Sequence, residues 1–414
     1  MGSGAGAADS DPKTEFPEST EEAAAVMRDA AARELAVVPR GGGSRLDWGA
    51  PAERCDLVID MSRMSGVAEH AAGDLVARVQ AGARMGDVAA VLAQAGQEIA
   101  LDVPSEATIG GVVASGLAGP RRLRYGTPRD LLIGITIVRA DGTIAKSGGK
   151  VVKNVAGYDL GKLFAGSAGT LGLITEATFR LHPLPAARAY VTAEYVAVAV
   201  ACDAVAAAAN SPLVSSAVEL SRPEPGGPIR VGVLLEGSVD GVESRSLRMA
   251  DLLGNGEVSA EPPAWWSGAP RAGLGETLIR VSFWVSALGR VLDAVEAAAG
   301  KAGVSPALAG SAGAGVLYAL VPGAADAEVD DDGAAGSAAS GAGAAAEFAA
   351  TLREAVAGER CGVAVLAAPA AVRAGLAGRG GMSGTVPGLA LMRAVKDQFD
   401  PGHRLAPGRF PDGI

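Results

Sequence analysis

The chain has 414 residues, 49% of them apolar, 20% charged and only 4% aromatic, with a net charge of -10. That is enough for two or three domains around a core of mostly Val, Leu, Ile and Ala, and too apolar for a disordered protein. The acidic balance argues against nucleic acid or an anionic membrane surface as the main partner, so any anion must be held by a local arrangement of groups.

Residues 1–18 lack the basic and apolar segments of a secretory leader and are expected to form a disordered tail. From Ser19 the run STEEAAAVMRDAAARE has a capping-box arrangement, Ser19 with Glu22, which predicts a helix, followed by the strand-like LAVVP. DLVID (Asp56–Asp60) and LVARVQA (Leu75–Ala81) read as strands, and RMGDVAAVLAQAG as a helix closed by Gly96. LLIGITIVRADG and LITEATFRLHPLP are further strands, set among glycine-rich segments up to Pro185.

Beyond Pro185 the elements are ordinary, with PIRVGVLLEG and LIRVSFWV as strands and LGRVLDAVEAAAG as a helix, which suggests a separate α+β domain. YVAVAVACDAVAAAA, from Tyr195, is too short and too interrupted by Asp203 to span a bilayer. Residues 323–348 are acidic and small with little to bury, and are expected to form a flexible loop. MRAVKDQFDPGHRLAPGRF reads as a terminal helix, a D-P-G stop and an extended tail. The three cysteines, Cys55, Cys202 and Cys361, form no metal-binding or disulfide pattern, which fits a reducing compartment.

The stretch VVPRGGGSRLDWG (Val37–Gly49) places three glycines directly after a strand. An isolated glycine run can be only a tight connection, but glycine also lets successive N–H groups converge on an anion. Two other segments share this character, TIGG (Thr108–Gly111) and GSAGTLG (Gly166–Gly172), and three such loops suit a long ligand containing a pyrophosphate. No G-x-G-x-x-G follows the first strand and no G-x-x-x-x-G-K-[ST] occurs, so the site is neither a Rossmann nor a P-loop one.

The ordered series PRGGGSRLDWG, PSEATIGGVVASG, RRLRYGTPRDLLIGI and KNVAGYDLGKLFAGSAGTLGLITEATFRLHPLP resembles the FAD-binding domain of the vanillyl-alcohol oxidase or PCMH type. The KNVAGYDL variant is most similar to the FAD-binding E subunits of bacterial glycolate oxidase (glycolate dehydrogenase). The resemblance covers roughly residues 21–185 and the D-P-G-x-x-L-x-P-G-R tail. It implies an α+β architecture: a two-subdomain FAD-binding domain (19–185), an α+β cap domain (186–387), and a C-terminal helix and tail (388–414) returning to the flavin.

The resemblance also implies that Arg40, Gly41, Gly42, Gly43 and Ser44, with Thr108, Ile109, Gly110, Gly111, Ser115 and Gly116, hold the pyrophosphate through backbone N–H groups, and that Pro104 is a further cofactor-binding residue. Arg124, Tyr125 and Gly126 would run along the flavin, and Gly166, Gly169, Thr170, Gly172 and Ile174 would line the adenosine half. Pro407, Gly408 and Arg409 would return to the flavin edge. The family usually has asparagine where Ala406 stands, and Ser44 stands where some relatives attach flavin through histidine, so non-covalent FAD is expected. Lys153, Tyr158 and Arg409 are weak catalytic candidates: a cation could stabilise reduced flavin, though each could equally be structural.

Catalytic relatives are similar to one another in a histidine and acid cluster that binds a metal beside the flavin. Here His70, His182 and His403 are scattered, and no metal site is expected. These features fit the E subunit of a complex with a catalytic flavoprotein subunit and an iron–sulfur subunit, acting on a small 2-hydroxy acid. Two alternatives stay open: a stand-alone FAD-dependent 2-hydroxy acid or alcohol dehydrogenase, and an assembly subunit with a vestigial flavin site. The expected location is cytoplasmic, with any membrane association going through partners.

Overall fold

A computed structural model describes residues 12–149, 159–266, 268, 270–323, 334–358 and 360–414, with only the backbone of 334–340. A parallel sheet orders Lys13–Glu15, Leu57–Asp60 and Val37–Arg40, with Leu57–Asp60 in the middle. The helix Thr20–Ala32 covers it with Ala23, Ala24, Met27 and Ala30 buried. The Ser19 hydroxyl accepts from Glu22 N–H at 3.1 Å, whereas the Glu22 carboxylate accepts from Glu18 N–H, one residue before the cap. The expected tail over 1–18 is corrected for 12–18. Lys13–Glu15 satisfies its backbone along the edge of Leu57–Asp60, and Glu18 pairs with Arg63 at 3.1 Å. Residues 1–11 lie outside the described residues.

An antiparallel five-stranded sheet follows in the order Val67–Ala71, Val76–Gln80, Leu173–Arg180, Leu132–Val138 and Ile144–Gly148. The helices Met85–Ala93 and Ile109–Ser115 pack on it through a core that includes Leu92, Ile109, Val113, Phe164 and Phe179. Val138 and Leu173 of this sheet also pack with Met27, Leu57 and Ile59, so the two sheets share the first helix between them.

The third sheet has eight antiparallel strands and an internal repeat. Ala187–Tyr195, Ala217–Arg222, Ile229–Gly237 and Glu257–Ser259 alternate with the helices Val198–Asn210 and Val239–Leu252 in β-α-β-β-α-β order. Thr277–Ser282, Ala307–Gly310, Val316–Val321 and Gly362–Ala367 repeat that order with Leu288–Ala302 and Ala334–Ala355. Each half sets its strands fourth, first, third, second, a ferredoxin-like arrangement, and the halves join where Ala217–Arg222 pairs with Ala307–Gly310. Alternating strand residues such as Val231, Val233, Ile279, Val281 and Leu317 bury one face under the four helices. The opposite face turns towards the glycine loops.

The flexible loop expected over 323–348 is corrected in its second half, because Ala334–Ala355 is helical. Ala345, Phe348, Ala349 and Leu352 recur at helical spacing and are buried against the sheet, and the intervening alanines favour the helix. Residues 324–333 lie outside the described residues.

The C-terminal helix Leu389–Phe399 is held by a buried charge. The Lys396 ammonium, with no exposed side-chain surface, donates to Asp400 Oδ2 at 2.7 Å, to Thr170 O at 2.8 Å and to Leu405 O at 3.0 Å. Asp400 Oδ2 also accepts from Leu405 N–H at 2.7 Å. Leu405 then lies parallel beside Val37, with Val37 N–H donating to Arg404 O and Ala406 N–H to Val37 O, both at 2.8 Å. One lysine therefore ties the chain's end to the Gly166–Gly172 segment and to the strand that launches the first glycine loop.

Candidate functional site

A cleft of about 400 Å³ lies between the glycine loops and the free face of the eight-stranded sheet. Its floor is the loop after Val37–Arg40. None of the N–H groups of Gly41, Gly42, Gly43, Ser44 and Arg45 donates a hydrogen bond to a described residue. Five successive amides without a protein partner beside a cleft form a concavity that an anion can occupy, and Gly42 and Gly43 are exposed to receive it. Asp60 braces the loop's entry by accepting from Arg40 Nε at 2.8 Å. Arg409 braces its far side, donating from Nη2 to Arg45 O at 2.9 Å and to Trp48 O at 3.2 Å. Burial pushes the Arg409 pKa down, opposed by the charge of Asp47, and the guanidinium is held by these backbone carbonyls.

The TIGG segment corrects the expectation that its amides hold a pyrophosphate. Ile109 N–H donates to Ala83 O at 2.9 Å, Gly110 N–H to Ala81 O at 2.7 Å, and Gly111 N–H to Thr108 Oγ1 at 3.3 Å. Its glycines serve close approach instead: a Cβ on Gly110 would stand 2.9 Å from Ala81 Cβ. A Cβ on Gly41 would stand 2.1 Å from Thr108 Oγ1, so the two loops touch at the point where only glycine fits.

The cleft brings together Arg40, Gly41, Gly42, Gly43, Ser44, Thr108, Gly110, Gly111, Ser115, Gly166, Gly169, Gly172, Ile174 and Arg409 of the residues singled out from sequence. Several others sit elsewhere. Ile109 is in the core, Gly116 ends its helix in the left-handed region at φ +65°, and Thr170 is buried with its carbonyl on Lys396. Pro104 and Pro407 offer their carbonyls to Ala107 and Glu53 N–H, and Gly408 packs on Glu53, none of them at the cleft.

Arg124, Tyr125 and Gly126 are corrected as well: they lie against the eight-stranded sheet rather than along the cleft, and the Tyr125 hydroxyl donates to Glu236 at 3.2 Å. The reason is the neighbouring Arg121, whose guanidinium is buried among Glu98 at 2.7 Å, Asp102 at 2.7 Å and Glu236 at 3.3 Å. Arg188 adds a second contact to Glu236 at 2.9 Å. This knot fixes the sheet over the glycine loops. Lys153 and Tyr158 lie outside the described residues.

His70 meets Gln97, His182 stacks edge-on against Tyr125, and His403 meets Asp397; none lines the cleft. Among the described residues the lining includes four arginines, Arg40, Arg45, Arg280 and Arg409, and no aspartate or glutamate. Arg45 and Trp48 were not foreseen. Arg45 stacks over Trp48 at 4.6 Å, and Arg45 Nε and Trp48 Nε1 are buried without a hydrogen-bond partner. Burial, and then Arg271, lowers the Arg45 pKa. Their position directly after the glycines was the available sequence signal.

A family profile described as "FAD binding domain" matches residues 14–148. Over that stretch the chain carries an FAD-binding domain. It is 34% identical over 205 residues to "Glycolate oxidase subunit GlcD" of Bacillus subtilis, covering 49% of this chain and 44% of that one. It is 38% identical over 154 residues to "Glycolate oxidase subunit GlcE" of Escherichia coli, covering 36% and 43%. It is 35% identical over 212 residues to "D-lactate dehydrogenase [cytochrome] 1, mitochondrial" of Saccharomyces cerevisiae, covering 50% and 35%. These matches span less than half the length of each relative. Among solved structures, p-cresol methylhydroxylase superposes with a TM-score of 0.71 at 17% identity, covering 96% of this chain and 88% of that one, which establishes the fold.

The residues present fit FAD. The unpaired amides of Gly41–Arg45 match a pyrophosphate, and the orphaned Arg45 Nε and Trp48 Nε1 are donors awaiting acceptors in the same loop. The longest run of partnerless amides among the described residues of these segments falls in the first loop, and Gly169, Leu171 and Gly172 add three more in the third.

Proposed function

We propose that this chain is the FAD-binding subunit of a glycolate (2-hydroxy acid) dehydrogenase complex in the cytoplasm, with a catalytic flavoprotein subunit and an iron–sulfur subunit as partners. Residues 19–185 form its FAD-binding domain, 186–387 its cap, and 388–414 the tail that returns to the cofactor. The observation that carries this reading is the cleft itself, lined among the described residues by four arginines and no carboxylate, between an amide nest and the cap sheet. The similarity to glycolate oxidase subunits supports the substrate class.

FAD bound there supplies a two-electron acceptor for the C–H bond of the hydroxy acid. The Gly41–Arg45 amides bind the pyrophosphate, Arg409 keeps that loop in place through the Arg45 and Trp48 carbonyls, and the cap sheet excludes water from above. The three histidines stand away from the cleft, so none is placed to take the hydroxyl proton; this supports a chain that works beside a catalytic partner.

The test is to purify the chain alone, record its visible spectrum, and add glycolate anaerobically with and without the two partners. A yellow protein reduced only in their presence is expected. Reduction without partners would replace this reading with a stand-alone dehydrogenase, and a colourless protein that takes up no FAD would make it an assembly subunit.

A further inference from the structure

We propose that Arg271, carried on the cap, and Glu106, beside the nest, form a latch that closes the cap onto the first glycine loop when an anion occupies it; this rests on the reading above, which puts the FAD pyrophosphate there. Glu106 lies just before the Thr108 cap of the helix Ile109–Ser115, and a Cβ on Gly42 would stand 3.2 Å from Glu106 O. Arg271 belongs to the connection between Glu257–Ser259, at one edge of the eight-stranded sheet, and Thr277–Ser282, next to the other edge. The two side chains are paired across the domains, each about half exposed.

That connection passes over the free face of the sheet, and packing holds it on either side of Arg271. Trp266 lies edge-on against Tyr190 at 5.1 Å, and Trp265 and Trp266 fill the space that a Cβ on Gly232 would need. Ala272 packs, with Trp48, against Leu278, Tyr318 and Leu366. Around Arg271 itself the holds are light. Leu274 is fully exposed, and Gly275 turns the chain in the left-handed region at φ +81°. Gly273 N–H donates to Glu276 Oε2 at 2.6 Å and Glu276 N–H to Gly273 O at 3.2 Å, both local bonds. The pair with Glu106 is therefore the charged tether from this arm to the FAD domain.

Charge decides when the latch closes. On the nest side Arg40 is offset by Asp60, and Arg45 and Arg409 are offset by Glu106 and Asp47. Arg271 brings the positive charge that this balance lacks, and it faces the like charge of Arg45 as well as the Glu106 carboxylate. A doubly charged pyrophosphate in the nest favours the closed arm, which leaves one positive charge more at the rim than the open arm does. Linkage makes the effect reciprocal, so the closed arm also tightens the hold on the anion. Arg271 acts from outside the cleft, whose lining it does not join.

The experiment uses FAD as the anion and two readouts: hydrogen exchange over 270–276 for the arm, and timed ultrafiltration of FAD-loaded protein for release. FAD should slow exchange over 270–276 about two- to fivefold, the range of an exposed ion pair. Glu106→Gln should speed exchange there by a similar factor in the FAD-free protein, where no ligand takes part. Arg271→Met should release FAD about two- to fivefold faster than the parent, and Arg271→Lys should restore most of the difference. That difference should vanish in ~1 M salt, where the Debye length is about 3 Å; a merely steric arm would not respond to salt. Exchange over 270–276 unmoved by FAD or by Glu106→Gln, or release from Arg271→Met at the parent's rate, overturns the latch. If glycolate passes electrons in the complex while exchange ignores FAD, the latch alone is refuted. If the latch behaves as stated while glycolate passes no electrons in the complex, the proposed function alone fails, and a chain that takes up no FAD overturns both.

Discussion

Replacing Gly41 by alanine should disrupt the site through Thr108 rather than through the ligand. The new Cβ would stand 2.1 Å from Thr108 Oγ1, and next 3.2 Å from Thr108 Cβ. That hydroxyl is the N-cap of the helix Ile109–Ser115, accepting from Gly111 N–H at 3.3 Å. Losing the cap costs about 1 kcal/mol, and the overpacking of two loops that touch at this point adds roughly 1–3 kcal/mol. Gly41→Ala should therefore destabilise by about 2–4 kcal/mol and reduce FAD retention, because the nest amides begin at the displaced residue. Thr108→Ala alone should cost only about 1 kcal/mol. In the Thr108→Ala background the obstructing oxygen is gone, so Gly41→Ala should become much milder, giving a coupling energy of at least about 1 kcal/mol in a double-mutant cycle. Urea melts and the ratio of flavin to protein absorbance measure both quantities. Additive effects of the two substitutions would refute the reasoning, since they would mean the loops do not meet at that oxygen.

Glu219 is buried under the cap sheet beside Ser311, and burial pushes its carboxyl pKa up to about 8 from an ordinary 4.5. The folded state then keeps a proton that the unfolded chain has released, so this group's contribution is present in full below pH 4.5 and is lost as pH rises to about 8. Glu219→Gln should flatten that slope and exceed the parent's stability at pH 8 by up to about 5 kcal/mol, at about 1.36 kcal/mol per pH unit; parallel stability–pH curves for the two proteins would contradict this. Lys396→Met should cost about 3–5 kcal/mol, because it leaves Asp400 buried without its cation and frees the Thr170 and Leu405 carbonyls. A change in urea midpoint worth under about 1 kcal/mol would show that the lysine does not tie the tail down.

What the sequence made legible was local chemistry. Glycines after Arg40, the Ser19 cap and the apolar run in Ile229–Gly237 each act through neighbours along the chain, and their elements form where the pattern placed them. Long-range matters were hidden. Alanine runs gave no periodic contrast, so the helix Ala334–Ala355 looked like a loop until Phe348 and Leu352 met the sheet. The repeat in the second half escaped because its two units share an order of elements and no motif. Arg121, in a segment assigned to the flavin, is instead claimed by acids 19, 23 and 115 positions away.

The same distinction explains why three similar glycine segments do different things. A glycine run announces that backbone will be approached closely, but not by what. At TIGG the approaching group is the chain itself, at Ala81 and Ala83; in the Gly166–Gly172 segment it is partly the helix Ile109–Ser115, whose Val113 and Ala114 carbonyls accept from Gly166 and Ala168. After Arg40 five successive amides stay without a described partner, because the chain there leaves its strand and is held from behind by Arg409 and from below by Asp60, whereas the third segment leaves only Gly169, Leu171 and Gly172 so. The proposed anion site is thus set by what the backbone does not bond, and the C-terminal tail, locked by Lys396, keeps it that way.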